Sequence, residues 1–297
     1  MSDTVTPVIV GVDGTSTAIR ATRWAAAVAE RFGAPLCIVH ARPYLGHNPS
    51  DAIAGVRAAA MAEQEESAQA ILRSAEHAVR ADFPHLPVTT FRLSESVDEA
   101  LIALSRNARL IVLGGDEVSV GTAILVGSAT MAVAARSTCP VVAWRGDAIV
   151  PSVKPIVMGV DGDDDSRVAI PAAFELADRL RVGVVAVHAW STRRPAGDIS
   201  LPSMIDWVEA ENAERKYLSD RLAPWIDLYP NVDVTCVVDA DKASRALLRH
   251  SEDAQLVVVG SRGQGLIASA VLGSTGLNLL HHSAVTVMIC RAQDKDD

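Results

Sequence analysis

Short apolar runs alternate along this chain with stretches whose apolar residues recur every three or four positions. Val8–Val12 is an apolar run with breaks on both sides, Thr6-Pro7 before it and Asp13 after it, as a strand buried on both faces reads. Behind it, Ala18, Ala21, Ala25, Val28 and Phe32 follow the spacing of one helix face. Cys37–Ala41, Val88–Leu93, Leu110–Leu113 and Val141–Trp144 predict four further strands, with helices near 57–82, 96–107 and 128–137. Strands alternating with helices imply parallel pairing through right-handed crossovers, hence a doubly wound α/β sheet. In such a sheet ligands sit beyond the carboxyl ends of the strands, at the point where strand order reverses.

The pattern then repeats. Val8-Ile-Val-Gly-Val-Asp-Gly14 returns as Ile156-Val-Met-Gly-Val-Asp-Gly162, and Val39-His40-Ala41 as Val187-His188-Ala189, both offset by 148. Leu110–Gly114 returns as Leu256–Gly260 and Gly127-Ser128 as Gly273-Ser274, both offset by 146. The helix face reappears as Ala169, Ala173, Leu176 and Leu180. Ordered matches over so long a period mean two whole domains rather than a solenoid. The turn-rich Gly146–Pro155 is the linker, giving domains at 1–147 and 148–297, each with a five-stranded parallel sheet.

Composition narrows the function classes. The chain of 297 residues is 49% hydrophobic and 21% charged, enough to bury a sizeable core. Its net charge of −9 is spread over both halves, 12 basic and 15 acidic residues up to position 150, then 15 and 21. Neither half offers the basic face that nucleic acid demands, and aromatics at 4% leave little for base stacking. The cysteines Cys37, Cys139, Cys236 and Cys290 are far apart and form no C-x-x-C pair. A reducing compartment therefore fits better than a disulfide framework or zinc site. No signal peptide is legible at the N-terminus, and no apolar run reaches the ~18 residues of a membrane span. The expectation is a soluble, cytoplasmic protein.

Candidate chemistry lies at the strand ends. Gly260-Ser261-Arg262-Gly263-Gln264-Gly265 follows the fourth strand of the second repeat, and Gly273-Ser274 opens a helix, spaced G-x2-G-x9-G-S. Glycines let backbone N–H groups approach an anion. The amides of Gly273, Ser274 and Thr275 would aim the positive end of a helix dipole at it. Asp13 and Asp161 close the first strands; each either contacts ribose or a phosphate-bound metal, or caps the following helix. Asp163-Asp164-Asp165 lacks the EF-hand glutamate and reads as a solvated helix start. Glu63, Glu65 and Glu66 read as a solvated helix face. His40 and His188 end the second strands and are expected to be packed or hydrogen-bonded rather than catalytic, while adjacent His281 and His282 make a poor metal pair. No triad, Walker A lysine or G-x-G-x-x-G follows the first strand, so binding rather than catalysis is expected.

With these residues the sequence resembles the universal stress protein family, in its tandem two-domain form, over roughly 8–145 and 156–291. The signs are Gly-Val-Asp-Gly, Val-His-Ala and G-x2-G-x9-G-S, the last marking the family's ATP-binding branch. The resemblance implies the adenine-nucleotide alpha-hydrolase-like fold and ATP as ligand, with Mg or Mn as a metal the phosphates would carry. Gly159 and Asp161 would line the adenosine end, with the Ala189 backbone facing adenine. Gly260, Ser261, Arg262, Gly263, Gln264 and Gly265 would cradle ribose and phosphates, completed by Gly273, Ser274 and Thr275. Gly11, Asp13, Ala41, Gly114, Gly127 and Ser128 are their counterparts in the first repeat. The family's usual role is nucleotide-linked regulation of stress, dormancy or growth, commonly as dimers. The alternatives are an interaction module with vestigial pockets and a slow ATPase.

The first repeat departs from the pattern: Glu117 stands where Gly263 does, and the loop reads Gly114-Gly115-Asp116-Glu117. Two carboxylates in place of a glycine turn predict a weaker site there. The terminal apolar strands, Val141–Trp144 and Val285–Ile289, would leave exposed sheet edges in isolated halves. The resemblance makes the chain an internal pseudo-dimer joined along these strands, with homodimers a further state. Halves expressed separately are expected to associate or aggregate; two well-behaved monomers in light scattering would overturn this.

Overall fold

A computed structural model describes residues 5–42, 54–114, 118–120, 123–161, 166–190, 207–261 and 272–291. The chain divides into two units, Met1–Pro151 and Ser152–Asp297, the boundary falling inside the expected linker, four residues after position 147. The first unit runs β1 (Val8–Gly11), α1 (Ser16–Phe32), β2 (Leu36–Ala41), α2 (Ala54–Asp82) and β3 (Val88–Leu93). It continues with α3 (Val97–Leu104), β4 (Leu110–Leu113), β5 (Val118–Val120), β6 (Ala123–Leu125), α4 (Ser128–Arg136) and β7 (Val141–Ala143). The second runs β8 (Ile156–Val160), α5 (Ser166–Leu180), β9 (Val184–Ala189), α6 (Trp207–Leu228) and β10 (Val234–Asp239). Then follow α7 (Ala243–His250), β11 (Leu256–Gly260), α8 (Ser274–His282) and β12 (Thr286–Cys290).

Each unit holds five parallel strands, in the order β3-β2-β1-β4-β7 in the first and β10-β9-β8-β11-β12 in the second. The expected doubly wound α/β sheets are therefore present. Val8 lies opposite Leu36 on one side and Leu110 on the other, and Ile156 likewise between Val184 and Leu256. Every residue of β1 and β2 is buried, which is why those runs carry no polar alternation. Ala18, Ala21, Ala25 and Val28 of α1 and Ala169, Ala173 and Leu176 of α5 are buried against these sheets. Small side chains there let the helices lie close to the strands.

Two differences from the sequence reading stand out. The segment between Gly114 and Gly127 contains an antiparallel pair, Val118 opposite Leu125 and Val120 opposite Ala123, where no strand was expected. Its three-residue strands are too short to stand out as periodicity, although the β-branched content is there. The last strands also shift by a residue, the first ending at Ala143 rather than Trp144 and the second spanning Thr286–Cys290 rather than Val285–Ile289.

The ends of α1 and α5 show one geometry solved with different residues. Gly33 closes α1 with φ 62°, its N–H donating to the Glu30 carbonyl (3.0 Å) and that of Ala34 to Ala29 (2.9 Å). At the equivalent position α5 has Arg181 at φ 58°, with the same pair of bonds, to Asp178 (3.1 Å) and from Val182 to Ala177 (3.0 Å). A left-handed conformation costs a residue with a Cβ about 1–2 kcal/mol, and glycine almost nothing. Arg181→Gly is therefore expected to stabilise the second domain by about 1 kcal/mol. Urea denaturation checks this, and a loss of stability would contradict it.

Candidate functional site

The point where strand order reverses lies at β8 in the second domain, since the chain goes from β8 to β9 on one side and to β11 on the other. Asp161 follows β8, Ala189 ends β9, and Gly260 ends β11, so these three expected residues share the carboxyl end of the sheet. Ser261 is buried and fixed twice: its N–H donates to the Cys290 carbonyl (2.7 Å), and its own carbonyl accepts from the Gly273 N–H (2.7 Å). That second bond brings the start of α8 to the end of β11. Gly273 is the N-cap, with φ −61° and ψ 154°, and no side chain caps the helix. The first N–H groups of a helix have no partner within it. Here Ser274 and Thr275 carry them, without the usual Ser, Thr, Asp or Asn at the cap. Arg262, Gly263, Gln264 and Gly265 lie outside the described residues, as do Gly162 and Asp163–Asp165.

The first-domain counterparts occupy equivalent ends: Gly11 and Asp13 at β1, Ala41 at β2, Gly114 after β4 and Gly127 as the N-cap of α4, also without a side-chain cap. Ser128 opens that helix. Asp116 and Glu117 lie outside the described residues. Asp13 accepts from the backbone N–H (3.0 Å) and hydroxyl (2.7 Å) of Thr15, while Thr15 Oγ1 accepts from the Ala18 N–H (3.1 Å). Thr15 is thus the cap of α1, and Asp13 orients it. Two of the glycines have packing reasons of their own. A Cβ on Gly114 would stand 2.5 Å from that of Ala21, and one on Gly159 would stand 3.1 Å from both Leu247 and Val259.

The histidines ending the second strands are buried and bonded in both domains. Nδ1 of His40 lies 2.8 Å from the Val12 carbonyl, and Nδ1 of His188 lies 2.8 Å from the Val160 carbonyl. Sequence reading missed the partners of His188 on α6. Glu214 Oε2 lies 3.1 Å from Nε2, and the Tyr217 ring lies 5.6 Å from the imidazole. The only sequence signal was that Glu214 and Tyr217, three apart, share a helix face. At the turn into α7 the Lys242 N–H holds the Asp241 carboxyl below the usual carboxylate range, with Arg245 and Arg249 adding to it.

All four cysteines are free. Burial pushes the Cys37 thiol up to about 11 and the Cys139 thiol to about 12, so neither is poised as a nucleophile. Among the described residues no three metal-ligating side chains cluster, and no helix is long and apolar enough to cross a membrane.

Comparison with known proteins fits this geometry. The profile of the universal stress protein family matches residues 4–145 and again 152–291. A universal stress protein of Mycolicibacterium smegmatis is 34% identical over 291 residues, covering 96% of each chain. One from Mycobacterium tuberculosis is 34% identical over 295 residues, with 96% of each chain again covered. The crystal structure of a universal stress protein from Archaeoglobus fulgidus shares the fold at a TM-score of 0.71 and 18% identity, covering 96% of this chain and 98% of that one. The chain belongs to the universal stress protein family, with two such domains in tandem.

Proposed function

We propose that this protein is a nucleotide-dependent regulator of stress response, dormancy or growth whose second domain binds an adenine nucleotide, ATP foremost. One observation carries the reading: the Gly273–Ser261 bond sets the uncapped start of α8 against the end of β11, where the G-x2-G-x9-G-S spacing puts phosphates. A glycine cap leaves room and N–H groups for an anion. Ser274 and Thr275 would hold the phosphates through their amides, Asp161 the ribose, and the Ala189 backbone the adenine; Gly273, whose own N–H is given to the Ser261 carbonyl, leaves the approach open. Any Mg or Mn would come with the phosphates rather than in a cage of protein ligands. The role is binding rather than turnover, and a cytoplasmic setting suits both the ligand and the free thiols.

In the first domain the interaction-module reading has its own support. The segment replacing the phosphate loop contains the β5–β6 pair and carries Asp116 and Glu117 in sequence. One tight adenine nucleotide per chain is therefore expected. The protein is purified without added nucleotide and denatured, the supernatant is analysed for adenine nucleotides, and the stripped, refolded protein is titrated by calorimetry. An empty supernatant with no binding would refute the reading, and two equal sites would refute the asymmetry. Sustained phosphate release, abolished by Asp161→Asn, would replace regulation with slow ATPase activity.

A further inference from the structure

The imidazole of His188 is 6% exposed and held from both ends. The Val160 carbonyl has no proton to give, so Nδ1 must donate to it. A carboxylate has none either, so the Nε2 contact with Glu214 is a hydrogen bond only if the pair holds one more proton than neutral imidazole plus ionised carboxylate. Without that proton, two lone pairs face one another across 3.1 Å. This one hydrogen bond between α6 and the sheet is therefore made or broken by a single proton.

Its place matters for the ligand. Val160 and His188 face each other in the β8–β9 register, Asp161 follows the carbonyl that His188 grips, and Ala189 follows His188 itself. Asp161 and Ala189, two of the three residues assigned to the adenosine end, are thus one peptide away from the clasp. Tyr217 lies against the ring from the same helix as Glu214. The charged groups on the other elements beside β9 are Asp239 on β10 with Arg245, Arg249 and His250 on α7, Asp161 after β8, and Arg167, Glu175, Asp178 and Arg179 on α5. Asp239 is already bonded to Arg249 and His250. In the first domain His40 makes the same carbonyl bond. There, 146 residues before Glu214 and Tyr217, stand Ala68 and Ile71, so that position has no carboxylate.

We propose that His188 and Glu214 are positioning residues forming a proton-dependent clasp on the adenosine end of the second-domain site, which makes nucleotide binding there tighter at low pH. The inference rests on reading that site as an adenine-nucleotide site. Binding that takes up one proton weakens by up to about tenfold for each pH unit of increase.

The test is ATP binding by the full-length protein, by calorimetry from pH 6 to pH 8.5, for wild type, Glu214→Gln and Glu214→Leu. The phosphate titration of ATP itself cancels between variants at each pH. A glutamine amide can donate to neutral Nε2, so Glu214→Gln keeps the clasp without the extra proton. It is expected to bind at pH 8.5 about three- to tenfold more tightly than wild type, with a flatter pH profile. Glu214→Leu is expected to bind weakly at every pH. Wild-type binding whose pH dependence matches that of Glu214→Gln would overturn the clasp and leave the site standing. Absence of wild-type binding at every pH would remove the site and the clasp together.

Discussion

Gly273→Asp is expected to weaken ATP binding about a hundredfold while leaving the second domain as stable as before, or slightly more so. The two effects have opposite signs because one set of N–H groups serves both. At φ −61° and ψ 154° the backbone of Gly273 is open to any residue, and aspartate is among the best N-caps. Its carboxylate would accept from the first-turn amides of α8 and suit the helix dipole, worth a few tenths of a kcal/mol over glycine. Those amides are the ones assigned to phosphate. A carboxylate about 5 Å from a phosphate charge, at an effective dielectric near 20, costs about 3 kcal/mol, hence the hundredfold. Gly273→Asn gives the cap without the charge and should lose less. Calorimetry with ATP and a parallel urea titration measure both quantities. Affinity within threefold of wild type would sink the phosphate assignment, whatever the stability.

The largest stability effect is expected from Phe174→Ala, a loss of about 3–5 kcal/mol in the second domain. Phe174 on α5 is fully buried, with ring centroids 6.4 Å from Trp225 of α6 and 5.9 Å from Tyr229, the residue that follows α6. It links α5 to α6, the helix that carries Glu214. Truncation removes the buried ring and leaves a cavity that rigid neighbours close only in part. Against a typical stability of about 5–15 kcal/mol, this is a large share. Burial, then Glu175 and Asp178, raise the pKa of Tyr229, so its hydroxyl stays neutral well above physiological pH and adds no charge to the gap. Urea unfolding followed by circular dichroism measures the loss, with tryptophan fluorescence adding the signal of Trp225 to that of the four other tryptophans. A shift below about 1 kcal/mol would show that the helices repack around the gap.

Most of the scaffold was readable because parallel strands between helix layers must be apolar on both faces. Val8–Gly11 and Leu110–Leu113 have no polar residue to confuse the pattern, and the helix face through Ala18 and Val28 follows from the close approach that small residues permit. Duplication helped further, since each half checks the other. The β5–β6 pair escaped because three-residue strands carry too little periodicity. Glu214 escaped for another reason: its meeting with His188 spans 26 residues and depends on how α6 lies on the sheet, which no local pattern encodes. The arginine at the end of α5 was equally invisible, because a left-handed residue there is dictated by the turn and glycine is merely the comfortable occupant.

The side-chain-free caps of α4 and α8 have a further consequence. If nucleotide binds as proposed, its phosphates finish the first turn of α8, and the ligand becomes part of the domain's architecture. By mass action, ligand at a hundred times its dissociation constant adds about 2.7 kcal/mol to the folded state. Openings that expose the chain to proteases would then become rarer when nucleotide is plentiful and commoner when it is scarce. The persistence of the protein in the cell would then follow the adenylate pool, making its abundance, as well as its occupancy, a record of energy supply.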